Sequence, residues 1–205
     1  MHLASFFEWH HLCRLDQPWL IVGKGPTFAE RSRHDLDGYN VLTLNDAIVH
    51  LPQAAVAHFT DWEAFVRCVD AIGASACVVC LPWHPHFAFK PAEHSLPELL
   101  TWGGAQIQSL AQRVVYYHAS TARGRGRIPG EPMVPVKFFS AEAALSLLAI
   151  AGVKVVRTLG VDGGTEYAPE FAGLTPLENG RPSFDAQFLR MRQTAAKYGV
   201  DLKAL

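Results

Sequence analysis

The chain has no apolar run approaching the roughly 20 residues that a membrane-spanning helix needs. It has almost no net charge: 18 Lys and Arg against 19 Asp and Glu leave −1. That balance exerts no overall pull toward nucleic acid or an anionic membrane surface. Cysteine is sparse. Cys13, Cys68, Cys77 and Cys80 in 205 residues do not make a disulfide scaffold. Residues 1–8 lack a basic segment followed by a long apolar core, so no signal peptide is expected. These absences point to a reducing compartment, the cytoplasm. No repeat, low-complexity tract or break in composition divides the sequence, which predicts one domain over 1–205.

What is present is a series of short apolar runs, in a chain that is 49% hydrophobic. Runs at 19–22, 40–44, 55–59, 76–81, 114–117 and 155–159 read as buried strands. Helical spacing appears at 62–72 (Trp62, Phe65, Val66, Val69, Ile72), with Asp61 placed as an N-cap. Residues 140–151 are apolar on nearly every side, which predicts a buried helix opening at Ser140. Residues 183–198 put Phe184, Phe188, Met191, Ala195 and Tyr198 on one face, between Ser183 and Gly199. Residues 1–18 read as an N-terminal helical extension, with a helix over 3–14. Strands alternating with helices predict an α/β fold: a single Rossmann-like domain with a mostly parallel sheet and helices on both faces. Ligands of such sheets sit beyond the C-terminal strand ends.

The candidate site residues lie at those ends. The 19–22 run stops at Gly23-Lys24-Gly25-Pro26-Thr27-Phe28. Two glycines allow close backbone approach, and a helix opening at Pro26 would offer N–H groups to a phosphate. The other reading is a turn that only packs. Phe28 occupies the third glycine position of the dinucleotide fingerprint, which excludes that fingerprint. Asn45 and Asp46 follow the second strand, as ligand contacts or as caps. Asp61 reads as a cap first and as a catalytic carboxylate second. Asp162, in Gly160-Val161-Asp162-Gly163-Gly164, can orient a hydroxyl, hold a metal or brace its own turn.

Arg123, Arg125 and Arg127 alternate with glycine, as a phosphate-binding lid or as a solvated loop. His118, at a predicted strand end, leads the histidine candidates for a general base, followed by His84 and His86. Cys77 and Cys80 are three apart on a strand and face opposite sides, so they are not expected to hold zinc. No metal centre is predicted, although Asp46 or Asp162 could recruit magnesium.

Four pieces in order carry a family likeness: Gly23-Lys24-Gly25-Pro26-Thr27, Leu44-Asn45-Asp46, Ser140 opening an apolar helix, and Leu159-Gly160-Val161-Asp162. From about residue 19 onward the chain resembles the bacterial lipo-oligosaccharide sialyltransferases and related Gly-x-Gly-Pro-Ser/Thr proteins, including bacterial and phage members. A pterin pyrophosphokinase group lies nearby. The resemblance implies a CMP-sugar donor. It places Gly23, Lys24, Gly25, Pro26, Thr27, Asn45, Asp46 and Ser140 at the nucleotide and Tyr167 at its phosphate. Lys24 stands where the family has Asn, Gly164 falls where it has a first phosphate tyrosine, and residues 178–182 lack its His.

The expected function is a glycosyltransferase passing a sugar from a nucleotide-sugar donor to a hydroxyl of an unknown glycan or small-molecule acceptor. Two alternatives stand beside it: nucleotide binding without turnover, and a magnesium-dependent pyrophosphokinase-like phosphotransfer. No nucleic-acid partner is expected. A homo-oligomer is compatible with the sequence.

Overall fold

The computed structural model describes residues 3–9, 17–122 and 125–205. Cys13 and Arg123 lie outside the described residues. The strands are β1 (Ala4–Ser5), β2 (Trp19–Val22), β3 (Asn40–Leu44), β4 (Val56–His58), β5 (Val78–Pro82), β6 (His86–Phe87), β7 (Lys90–Pro91), β8 (Val114–Ala119), β9 (Met133–Val134), β10 (Val155–Leu159) and β11 (Asp201–Ala204). The central sheet runs β1-β8-β5-β4-β3-β2-β10-β11, with β9 also paired to β8. Every pairing in it is parallel. β6 and β7 form a separate antiparallel hairpin.

A parallel sheet covered on both faces needs strands that are apolar on both sides. β2 meets that need, since all four of its residues are buried. Its side chains alternate. Leu20 and Val22 join one core with Phe28, Phe59, Phe65 and Leu81, while Trp19 and Ile21 join the other with Leu42, Tyr117, Leu145 and Met191. The first core is covered by α2 (Trp62–Arg67), α3 (Val69–Ala74), α4 (Leu96–Trp102) and α5 (Ala105–Leu110). The second is covered by α1 (Phe6–Trp9), α6 (Ser140–Ile150) and α7 (Ala186–Tyr198). The fold is the α/β, Rossmann-like sheet that the strand pattern predicts. Cys77 and Cys80 fall in opposite cores, as period-two alternation requires.

Local departures have local causes. The N-terminal stretch opens as edge strand β1 on β8 before turning into α1. The helix expected over 62–72 breaks at Cys68, whose N–H is shared among the carbonyls of Ala64, Phe65 and Val66. Both halves still point Phe65 and Ile72 at the sheet. Residues after the first glycine loop form a 3₁₀ segment, Pro26–Arg33, instead of an α-helix. α7 begins at Ala186, because the Ser183 hydroxyl bonds within the preceding turn to Asp185. Gly199, at φ +64°, ends it as expected. Among the described residues no helix is long and apolar enough to cross a membrane.

Candidate functional site

The strand order reverses between β2 and β10. Such a reversal leaves a crevice beyond the C-terminal strand ends. A cavity of about 560 Å³ opens there.

One wall is a seam between two glycine loops. The N–H of Gly23 donates to the Leu159 carbonyl at 2.8 Å, and that of Gly25 to the Gly160 carbonyl at 2.7 Å. The Thr27 N–H donates to Asp162 at 2.8 Å, and its hydroxyl also bonds that carboxylate. The Thr27 hydroxyl oxygen in turn accepts from the Gly160 N–H at 2.8 Å. A Cβ at Gly23 would sit 2.3 Å from the Gly160 oxygen, and one at Gly25 would sit 2.5 Å from Asp162. The glycines therefore serve close packing of loop on loop, and the amides of Gly23, Gly25 and Thr27 are already bonded. Asp162 is a brace across the seam, and Gly25 and Asp162 both line the cavity.

The floor is built from the ends of β3 and β4 and the first turn of α6. Asn45 adopts a left-handed φ of +51°, a conformation Asn tolerates better than most residues. Its Nδ2 donates to the Ser140 hydroxyl at 3.4 Å, and that hydroxyl lies 2.8 Å from Thr60 Oγ1. Asn45 Oδ1 is buried with no protein partner. Ser140 is the first residue of α6, and the N-cap position before it is Phe139, which offers no side-chain cap bond. The helix thus brings its N-terminal dipole and the residues Ser140 and Ala141 to the cavity beside these three polar side chains.

Lys24 reaches from the seam to Asp46 at 2.9 Å, and Arg67 of α2 reaches the same carboxylate at 2.7 Å. Burial raises the Asp46 carboxyl, but the Arg67 and Lys24 hydrogen bonds outweigh it and hold the group at about 2. Asp46 is therefore a fixed anion shared by two cations. Lys24 also lies 4.5 Å from the centre of the Tyr167 ring. Tyr167 stacks on Phe184, with centroids 5.5 Å apart. Arg181 lies 3.6 Å over Phe138, and all four of these residues line the cavity.

Asp61 begins α2 but makes no side-chain cap bond. Burial first, then the charge of Glu63, raises its carboxyl to about 6. His86 Nδ1 lies 3.9 Å away, and His86 Nε2 lies 3.2 Å from Thr121 Oγ1. Burial lowers His86 to about 4. His86 rides on the β6–β7 hairpin, whose turn residues Ala88 and Phe89 both have positive φ, +45° and +64°. Such a turn favours Asn-Gly, so this one holds strain at the cavity mouth. The Ala88 N–H is tied to Glu63 at 3.2 Å.

Of the residues expected at the site, Gly23, Lys24, Gly25, Asn45, Asp46, Ser140, Asp162, Tyr167 and His86 line this cavity. Others lie elsewhere. His118 sits on the sheet face shared with Tyr116 and Trp83, where Nε2 accepts from the Ile128 N–H and lies 3.4 Å from Glu131. His84 is buried and its Nδ1 donates to the His94 carbonyl. Arg127 donates to the Glu131 carbonyl within its own loop, and Arg125 is exposed outside the cavity. Pro26 is exposed and Thr27 is used by the seam. Arg67, Arg181 and Thr60 had no local motif to mark them, whereas Asp61 was marked as a cap but makes no cap bond. Their roles depend on which elements meet. Among the described residues, no group of three or more His, Cys, Asp or Glu side chains converges as a metal site.

Comparison with protein-family models, curated proteins and solved structures finds no match.

Proposed function

We propose that the chain is a glycosyltransferase that binds a nucleotide-sugar, a CMP-sugar first among them, and passes the sugar to a hydroxyl acceptor. The observation that carries this reading is the convergence of Asn45, Thr60 and Ser140 on the N-terminal turn of α6, at the reversal of a parallel sheet. That floor suits an anion approached by neutral donors. Tyr167, Phe184 and Phe138 offer ring faces to a base or sugar. In direct displacement at the anomeric carbon, the nucleotide phosphate leaves with the bonding electrons. The α6 dipole, Lys24 and Arg181 stabilise that departing charge.

Binding without turnover remains the second reading, favoured by the stretch Glu178-Asn179-Gly180-Arg181-Pro182, which has no histidine. Magnesium-dependent phosphotransfer is less well supported, because both Asp46 oxygens are already engaged by Lys24 and Arg67.

A thermal-shift panel of CMP, UDP, ATP and CMP-sugars, each with and without magnesium, tests the proposal. At about 100 times its Kd, a ligand adds roughly 2.7 kcal/mol. CMP or a CMP-sugar is expected to raise the Tm by several degrees without metal. A shift from ATP with magnesium alone, or none from any nucleotide, overturns it.

A further inference from the structure

Asp61 has a carboxyl lining the cavity, a histidine 3.9 Å away and no cap bond of its own. It heads α2 yet caps nothing. A backbone bridge joins it to His86. The side chains then face each other at 3.9 Å, with Asp61 about a quarter exposed and His86 less so. We propose that Asp61 is the general base of this cavity and that His86 is the residue that positions it.

Its substrate rests on the transferase reading. With the Thr121 hydroxyl, 3.2 Å from His86 Nε2, as the donor, the ring hydrogen sits on Nδ1, the nitrogen that faces Asp61 at 3.9 Å. The hairpin carrying His86 is tied to α2 by the Ala88 N–H bond to Glu63. The charged or titratable groups that bear on Asp61 are Glu63 and Arg67 from α2, Lys24 from the seam, Asp46 after β3, Tyr117 from β8 and His86 from the hairpin. In the step, the acceptor hydroxyl gives its proton to Asp61 while its oxygen bonds the anomeric carbon. The bond from that carbon to the phosphate oxygen breaks, and its electron pair leaves on CMP. Asp61 then releases the proton to water.

Two readouts test the pair. The first needs no ligand: carbon-detected NMR titration of Asp61 is expected to show a midpoint near 6. Replacing His86→Gln removes the Nδ1 hydrogen and is expected to move that midpoint upward. The second is CMP release from a CMP-sugar. The rate is expected to rise with pH through the Asp61 midpoint. Asp61→Asn is expected to keep the CMP Kd within about twofold, abolish that rising limb and lose about 100-fold in kcat. His86→Gln is expected to displace the limb in wild-type background and to change nothing further in Asp61→Asn.

Full turnover or an intact limb in Asp61→Asn overturns the proposal and leaves the transferase reading standing. If the wild-type protein binds no CMP, the transferase reading falls, and the titration alone decides the pair. A midpoint near the ordinary aspartate value, or one indifferent to His86→Gln, overturns it.

Discussion

The two walls of the cavity are made differently. The seam wall, Gly23 to Thr27 against Gly160 to Asp162, is satisfied by itself: its amides, hydroxyl and carboxylate bond one another. Across from it, Asn45, Ser140 and Asp61 have bonding capacity left over, and Asn45 Oδ1 has no protein partner at all. Buried polar groups are ordinarily paired. The first wall is therefore a structural hinge-pin, and the second is where chemistry has room. A glycine-rich loop at a strand end is thus no proof of a phosphate cradle. What matters is whether its N–H groups are still available.

Substitutions can break that contrast. Gly23→Ala is expected to do the most damage, about 3 kcal/mol in a urea melt, because the added Cβ meets backbone at 2.3 Å. A loss under about 1 kcal/mol would show that the seam yields.

Next comes Asp46→Asn, expected to cost about 2 kcal/mol at pH 7. The sign follows from the folded carboxyl lying at about 2, below its ordinary 3.8. Its contribution is present above about 4 and lost as pH falls toward 2, so the wild-type acid arm should flatten in the variant. Asp61 runs the other way. Its folded carboxyl is raised, so its charge costs stability as pH climbs from about 4 to about 6. Asp61→Asn should remove that slope in pH-dependent melts.

Thr27→Val removes a hydroxyl that bonds both Asp162 and Gly160, and about 1–2 kcal/mol is expected from denaturant midpoints. Ligand affinity should fall only modestly, which a seam that is purely structural requires.

The smallest effect has the opposite sign. Ala88→Asn with Phe89→Gly gives the hairpin its favoured turn and should raise stability by about 1 kcal/mol in the same melts.

Much of the framework could be read from sequence. The apolar runs end where chain direction must change, so the strands and the 140–151 helix were visible from composition alone. The site was legible only in part. Asn45 and Ser140 stand at element ends, where local rules point. Thr27 and Asp162 are 135 residues apart, and no local pattern links them. His118 is the penultimate residue of β8, which runs further than expected, to Ala119, and period-two alternation turns it toward Trp83 and away from the cavity. Asp61 has the ideal position for a cap, and its missing cap bond and its pairing with the β6–β7 hairpin are tertiary facts that no local rule gives. Arg67 and Arg181 became visible when α2 and the 173–184 stretch were seen to face one cavity.

The β2–β10 pairing has a consequence for how the protein is born. Trp19 lies beside Val156, so the middle of the sheet joins early chain to late chain. Pairings this distant in sequence form slowly, since a long loop must close first. During synthesis, β2 to β8 and the helices between them emerge before β10 exists. The cavity then lacks α6, the Gly160 loop and Asp162. The cavity is thus complete only once the late third of the molecule has joined the early two-thirds, and any ligand that gripped it would act on that last step of folding.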